Sequence, residues 1–246
     1  MTETHNMSKN KKKKFKKNKR KRSHPSNFVQ NADGDKFWRN GRGELHKQGG
    51  PAKILANGTE EWYKNGVIHR IDGPAKITPY GSQYYYQDGE LHRTDGPAII
   101  YAKLNDLKEE WYRHGTRHRL DGPAKIWKNG RQQWYCNGDI HRTDGPAIIH
   151  QNGTLTYMQH NVTHRIGGPA VIFPNGREEW YSHGQLNRMD GPAITDPKGP
   201  NIWYFRGSKV STIDAKWWLM LDLTWLGQSR DIHQHSKQKC SIMRVS

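Results

Sequence analysis

Cysteine, phenylalanine and long apolar runs are scarce in this sequence. There are 2 Cys and 5 Phe among 246 residues, and the apolar residue types together make up 33%. That share is below the roughly 45–50% of ordinary globular domains (a figure that also counts glycine), so we predict no thick hydrophobic core. Two cysteines cannot form a disulfide framework, which favours a reducing, intracellular setting. No stretch of about 18 apolar residues occurs, so no transmembrane segment is predicted.

Acidic residues are also few, and the basic residues are concentrated at one end. The chain has 40 Lys+Arg against 23 Asp+Glu, a formal net charge of +17. Residues 1–30 hold eleven of the basic residues and a single acidic one, Glu3. Such a segment repels itself and has little apolar surface to bury, so we predict a disordered basic tail over 1–30. This end has no apolar h-region, so we expect the protein not to be secreted.

Basic runs of this kind are typical of nuclear-localisation and nucleic-acid-binding segments. We expect the run to contact phosphates without regard to base sequence and with a steep salt dependence. A tail that only solubilises the protein is the alternative. The residues predicted to bind nucleic acid or another polyanion are Lys9, Lys11, Lys12, Lys13, Lys14, Lys16, Lys17, Lys19, Arg20, Lys21 and Arg22.

A Gly-Pro-Ala motif recurs through most of the chain with a nearly constant period. The steps are 23, 23, 26, 23, 23 and 23 residues. A period between about 20 and 50 residues indicates a tandem repeat whose units bury surface mainly against their neighbours. The long step is predicted to hold a longer hairpin over 102–110, with Asn105 and Asp106 at its tip. The motif begins at Gly50, Gly73, Gly96, Gly122, Gly145, Gly168 and Gly191.

Each unit is predicted to contain two short strands and two tight turns. In the first strand Ala52 and Ile54 are two residues apart, which places both side chains on one face. The dipeptide Asn57-Gly58 then predicts a hairpin turn of type I′. Equivalent pairs recur along the chain, and the fold is therefore predicted to be all-β, built of tandem hairpins.

The second strand of each unit carries two adjacent aromatic residues, such as Trp62 and Tyr63. Neighbouring residues of a strand face opposite sides, so we expect one aromatic column on each face of the sheet. A second turn follows at Gly66. The fifth unit has Asn161 at the equivalent position, and Asn is the residue besides Gly that best tolerates left-handed geometry.

The two ends of the repeat region depart from the pattern. Residues 31–50 are predicted to form a degenerate N-terminal capping repeat, and 51–207 the regular array. Residues 208–226 are expected to form a short C-terminal capping helix with Ser211 or Thr212 as its N-cap. Its apolar residues would cover the last hairpin edge. Residues 227–246 are read as a polar tail.

The units are joined by a His-Arg-x-Asp-Gly-Pro-Ala connector. We expect a mainly structural role, in which Arg pairs with the Asp two residues on, or the Asp fixes the turn before Pro. The His is expected to bond to a neighbouring connector. An Arg column that binds phosphate, or a His column that binds metal, stays open as an alternative. The connector residues are His69, Arg70, Asp72, His92, Arg93, Asp95, His118, Arg119, Asp121, His141, Arg142 and Asp144.

No catalytic set stands out, because every notable His and Asp is repeated, whereas an active site normally breaks symmetry. We therefore expect no enzymatic activity and no cofactor. The favoured interpretation is a binding or scaffold protein whose tail holds a polyanion and whose sheet face contacts a protein partner. An assembly protein in which the hairpin array mediates protein–protein contacts is the alternative.

The 23-residue period, the glycines at both turns and the strand aromatics resemble the MORN repeat. The resemblance is closer to divergent MORN-like proteins of large DNA viruses and some phages, with Trp-Tyr-x-Asn-Gly-x-x-His-Arg-x-Asp-Gly-Pro-Ala units, and covers about 37–207. It implies a single-layer, elongated antiparallel sheet of successive hairpins, a virus-encoded protein and a virion-associated location. MORN proteins generally scaffold, dimerise or bind lipid and protein surfaces. The connector replaces the usual Gly-rich spacing, which argues against lipid binding.

Overall fold

A computed structural model describes residues 27–211 of the chain, and this range holds only strands, bridges, turns and bends. The all-β prediction is confirmed. Fifteen strands form one continuous antiparallel sheet, in which each strand pairs with its neighbours along the repeat. In order across the sheet they are Asn27–Gln30, Lys36–Arg39, Lys53–Ile54, Glu60–Glu61, Lys76–Ile77, Gln83–Tyr84, Ile99–Ile100, Leu107–Glu110, Lys125–Trp127, Gln132–Gln133, Ile148–Ile149, Leu155–Thr156, Val171–Ile172, Glu178–Glu179 and Ile194–Thr195.

Each unit forms two hairpins where the sequence predicted two strands. The first hairpin belongs to the sheet, and the second, which we call the outer hairpin, pairs only with itself. The change occurs at the first aromatic: the Trp62 N–H donates to the Ala75 carbonyl at 2.8 Å, while its own carbonyl accepts from His69 N at 3.0 Å. The outer hairpins are Tyr63–Lys64 with Val67–Ile68, Tyr86–Gln87 with Glu90–Leu91, Tyr112–Arg113 with Thr116–Arg117, Tyr135–Cys136 with Asp139–Ile140, Met158–Gln159 with Val162–Thr163, Tyr181–Ser182 with Gln185–Leu186, and Trp203–Phe205 with Ser208–Val210.

The two turns of a unit have different geometries. In the sheet hairpin Gly58 has φ +86° and no positive φ occurs at Asn57, so the type I′ prediction for this turn was wrong. Instead Gly58 N donates to Leu55 O at 2.8 Å, which closes a turn followed by a left-handed glycine. The outer turn is the one with two consecutive left-handed residues, Asn65 at φ 51° and Gly66 at φ 81°. Asn161 adopts φ 64° in the fifth unit, as predicted.

The two aromatic columns lie on opposite faces, as the alternation predicted. The Tyr112 hydroxyl donates to Glu110 at 3.0 Å, and the Trp111 indole N–H donates to Glu109 at 3.4 Å. Glu109 and Glu110 are neighbours on one strand and therefore face opposite sides. The buried core is thin, and its fully buried members are the alanines of the Gly-Pro-Ala motif: Ala52, Ala75, Ala98, Ala124, Ala147, Ala170 and Ala193, each 0% exposed.

Three predicted boundaries differ from the structure. Strand Asn27–Gln30 pairs with Lys36–Arg39, so the sheet begins inside the predicted tail. Residues 208–210 are paired in the last outer hairpin, so a helix cannot begin at 208, and the rest of the predicted helix lies outside the described residues. The tip of the long hairpin lies at 103–104, because Asn105 N donates to Ala102 O at 3.1 Å.

Candidate functional site

Each connector holds its arginine against an aromatic ring. The Nε of Arg70 donates to Asp72 at 2.9 Å and its Nη1 donates to the Pro74 carbonyl at 3.2 Å. The guanidinium carbon lies 4.3 Å from the centroid of the Trp62 ring. The predicted Arg–Asp pair is thus present, together with a cation–π stack and a carbonyl contact. The same stack recurs in Arg93 on Tyr85, Arg119 on Trp111, Arg142 on Trp134, Arg165 on Tyr157 and Arg188 on Trp180, at 3.8–4.3 Å.

The glycine that follows each connector is needed for space. Gly145 does not have a positive φ, but a Cβ placed on it would lie 2.7 Å from Cζ of Arg142. That separation is shorter than any van der Waals contact, so a side chain there would displace the guanidinium from its ring and from the Pro146 carbonyl. The glycine of the Gly-Pro-Ala motif is therefore explained by the space that the arginine side chain occupies.

The aspartate is the least important member of the connector. Hydrogen bonding and charge from the adjacent arginine lower the pKa of Asp121 and Asp144, yet these carboxylates are about four-fifths exposed, so water screens the pairs. The fifth unit has Gly167 in this place. Arg165 there still stacks at 3.8 Å and still donates to Pro169 O at 3.0 Å.

The connector histidine joins one unit to the next. The Nδ1 of His69 accepts the backbone N–H of Asp88 at 3.0 Å, in the outer turn of the following unit. Nδ1 must be unprotonated to accept, so this bond requires the Nε2–H tautomer. At His69 the Asp88 carboxylate also lies 2.9 Å from Nδ1, a contact that a protonated Nδ1 would make instead. Our prediction of a bond to a neighbouring connector named the wrong partner, since the acceptor serves a turn. The other histidines of this kind are His46, His92, His118, His141 and His164.

A natural substitution supports this role for the histidine. In the last connector Asn187 replaces it, and its Oδ1 accepts the N–H of Arg206 at 2.9 Å. Asparagine thus supplies an uncharged acceptor at the same place. We call this set of His and Asn contacts the turn-acceptor ladder.

Burial lowers the pKa of His92, His118, His141 and His164. A second imidazole adds to the shift in His141, whose ring centroid lies 4.3 Å from that of His160. These histidines are therefore neutral at pH 7, as the ladder requires. In residues 27–211 no cluster of three or more His, Cys, Asp or Glu residues could hold a metal ion.

Buried carboxylates on the tyrosine face of the sheet were not identified from the sequence. Glu61 is 6% exposed and lies between the ammonium groups of Lys53 at 3.2 Å and Lys76 at 3.1 Å. Burial alone would raise the pKa of Glu61, but the two lysines lower it. Burial and this carboxylate raise the pKa of Tyr63 to about 12. A Glu-x-Tyr pattern, seen again at Glu110 and Glu179, could have revealed these sites.

The predicted site residues thus fall into two groups. Within each connector Arg and Asp meet, whereas the His contacts the neighbouring unit, and the Arg and His side chains make the contacts that hold the array. The basic residues from Lys9 to Arg22 lie outside the described range. Within residues 27–211 there is no helix that could span a membrane.

No protein-family model matches the chain, and no curated protein is significantly similar to it in sequence. The tandem antiparallel hairpins are compatible with a MORN-like repeat.

Proposed function

We propose that this chain is a non-enzymatic binding and scaffold protein of the MORN-like type, in which the segment Lys9–Arg22 holds nucleic acid or another polyanion. The observation that carries the proposal is that the basic residues fall into two groups along the sequence. The arginines and histidines of the connectors have structural partners, whereas eleven of the 40 basic residues are concentrated before the first strand. Viral origin and a nuclear or virion-associated location belong to the same proposal.

The charge distribution favours the basic segment over the array as the polyanion site. Connector arginines such as Arg119 direct their Nε to a carboxylate and their Nη1 to a carbonyl, and their side chains are only 19–25% exposed. A phosphate would have to compete for donors that are already used. The basic segment has eleven cations against one carboxylate over residues 1–30, so it attracts phosphate without that competition.

The test is DNA and RNA binding measured against salt for the full chain. We expect tight binding at 50 mM salt, which falls about 10³–10⁵-fold by 200 mM if some 6–10 phosphates are contacted. A full-length variant with the eleven basic residues from Lys9 to Arg22 changed to Gln should lose this binding.

A control variant removes three exposed cations of the array instead, with Lys64→Gln, Lys108→Gln and Arg113→Gln. This variant should bind as the parent does. A chain that begins at Ser26, and so keeps the first strand, should fold but not bind. Absence of binding at 50 mM salt, or equal losses in the two substituted variants, would refute the polyanion function.

A second candidate function is that of an assembly protein, and the connectors carry an observation in its favour. The position after the connector Arg is apolar and exposed in four connectors: Ile71 is 77% exposed, Leu120 49%, Ile166 71% and Met189 57%. Thr94 and Thr143 interrupt the row that these side chains form, but several exposed apolar groups at equivalent positions still favour contact with protein.

Light scattering against concentration tests whether this row joins copies of the chain. The parent should increase in molar mass with concentration, and a variant with serine at all four positions should do so less. A parent that stays monomeric throughout would count against self-assembly.

A further inference from the structure

One open surface cavity lies where the repeat loses its regularity, at the tips of three consecutive sheet hairpins. Its volume is about 640 Å³, and it is widely open to solvent. The hairpin with the 26-residue step supplies one wall. Lys128 fixes that wall, because its N–H donates to Asp106 O at 2.9 Å and its ammonium donates to the carbonyls of Ala102 and Lys103. We call it the tip cavity, and its main lining residues are Asp106, Trp127, Asn129, Arg131, His150 and Gln151.

Arg131 is an uncompensated cation in this cavity. Its guanidinium carbon lies 4.5 Å from the Trp127 ring centroid. Within residues 27–211 its side chain makes no ion pair or hydrogen bond, and its Nε is buried without a partner. A buried donor without an acceptor calls for an explanation, and a bound ligand is one.

The chain contains a matched arginine that lacks this property. Two units along, Arg177 lies 5.6 Å from the Phe173 ring, and its Nε is likewise unpartnered. However, its Nη2 donates to Glu179 at 2.6 Å, so its charge is compensated. The position that corresponds to Glu179 in the unit of Arg131 is Gln133, which is neutral. A glutamate at this position can therefore neutralise the arginine, but the unit of Arg131 has a neutral glutamine there.

The other walls of the tip cavity supply both donors and acceptors. The Asn129 amide donates to the Gln151 carbonyl oxygen at 3.0 Å, which leaves the Gln151 amide N–H groups available. Asp106 contributes a carboxylate whose side chain forms no ion pair in the described range, and His150 is kept neutral because burial and the nearby Arg131 lower its pKa. Hydroxyl groups both donate and accept, so they suit such walls.

Other ligand classes fit these walls less well. A compact anion such as phosphate offers few hydroxyl donors to the Asp106 carboxylate, whereas a ligand that combines a carboxylate with several hydroxyls serves both Arg131 and Asp106. A flat aromatic ligand would need open ring faces, but Arg131 stacks on the Trp127 ring. An apolar ligand would leave the amides and charges without partners.

We propose that the tip cavity binds a sugar acid, meaning a monosaccharide or chain end that carries a carboxylate. Arg131 takes the carboxylate, a pairing that is charge-assisted and suited to two parallel hydrogen bonds. Asp106 and the amides of Asn129 and Gln151 take ring hydroxyls. The site is independent of the polyanion function, because it lies in the array and has one uncompensated arginine.

Ligand binding is tested on the full chain by NMR, with the Trp127 indole N–H assigned through Trp127→Phe. Glucuronate should shift this signal in a saturable way, whereas glucose and inorganic phosphate should bind at least tenfold more weakly. Arg131→Gln should weaken glucuronate binding at least tenfold. Arg177→Gln, the matched control, should leave it unchanged.

A second variant tests the charge argument without removing the arginine. Gln133→Glu gives Arg131 the partner that Arg177 has, and should also weaken glucuronate binding at least tenfold. This variant should fold, because Glu61, Glu110 and Glu179 occupy the corresponding position in other units, each hydrogen-bonded to the tyrosine two residues on. No saturable shift with glucuronate, equal affinity for glucose or phosphate, or full binding by Gln133→Glu would overturn the proposal.

Discussion

Gly145 has no side chain, and this leaves space for the arginine side chain that stabilises the connector. The Arg142 guanidinium occupies this space, stacks on Trp134 at 4.3 Å and donates to Pro146 O at 3.3 Å. Such stacks contribute about 0.5–2 kcal/mol, depending on how far they are desolvated. The glycine and the arginine should therefore act as one energetic pair.

A double-mutant cycle on Gly145 and Arg142 tests this pairing. Gly145→Ala should destabilise the full chain by about 1–3 kcal/mol, as overpacking does. In an Arg142→Ala background the same change should cost much less, which gives a coupling of about 0.5–3 kcal/mol. Urea unfolding supplies the free energies. Additive effects of the two substitutions would refute the explanation. Asp144→Ala, which removes only the exposed carboxylate, should change the unfolding midpoint little.

The outer hairpin could not be recognised from the sequence as an element separate from the sheet. The residues Glu60–Lys64 alternate without a break, so nothing in them marks the point at which pairing moves from the sheet to the outer hairpin. That point depends on which carbonyl Trp62 meets in the next unit, and this is a property of the neighbour. The faces, the outer turns and the Arg–Asp pair were local features and could be predicted.

The tip cavity and the turn-acceptor ladder could not be predicted for the same reason. Arg131 and His150 belong to adjacent units and lie 19 positions apart, and each is ordinary within its own hairpin. Only the antiparallel stacking of the units brings them to one cavity. The sequence did predict the longer hairpin over 102–110, which forms one wall of the cavity.

The turn-acceptor ladder predicts acid-sensitive stability. The folded pKa of His92, His118, His141 and His164 lies below the unfolded value of about 6.5, so the native array binds fewer protons than the unfolded chain. The stability they contribute is fully present above pH 6.5 and is lost as pH falls from there through the folded pKa values. Each contributes a slope of at most about 1.4 kcal/mol per pH unit. The urea concentration at the unfolding midpoint should therefore decrease as the pH is lowered from 7.5 to 5.

The control for this prediction is taken from the last connector. Changing the four histidines to asparagine, as at Asn187, keeps an acceptor that does not titrate, so the pH dependence above pH 5 should flatten. Histidines 114, 160 and 183 and the charged groups Glu90, Arg113 and Asp139 stay in place, because they face the ladder and contribute to its field. An unchanged pH slope in the variant would show that the ladder is not the source.

At the largest scale that the structure describes, residues 27–211, fifteen strands about 4.8 Å apart give a sheet about 65–70 Å long. Stability in such an array is close to a sum over units and the interfaces between them. Because the regular units all stack on their neighbours in the same way, one unit can be replaced by another that begins and ends at the same positions of the repeat.

Deletion of residues 145–167 tests this modularity, since it removes one unit and rejoins Asp144 to Gly168 within an intact motif. The shortened chain should fold, with a urea m-value lower by roughly a seventh because less surface is exposed on unfolding. Deletion of 145–155 removes half a unit and should prevent cooperative folding. Equal behaviour of the two deletions in circular dichroism would contradict a modular array.

The turn-acceptor ladder also has a direction. The acceptor at position 69 serves the turn at 88, and in every such pair from 46 and 65 to 187 and 206 the acceptor comes earlier in the chain. During synthesis, therefore, each outer turn leaves the ribosome after the unit that holds its acceptor has been completed. Domains made from the N-terminus onward fold in that order during translation. This array can grow on the ribosome one unit at a time, each new unit closing on a finished one.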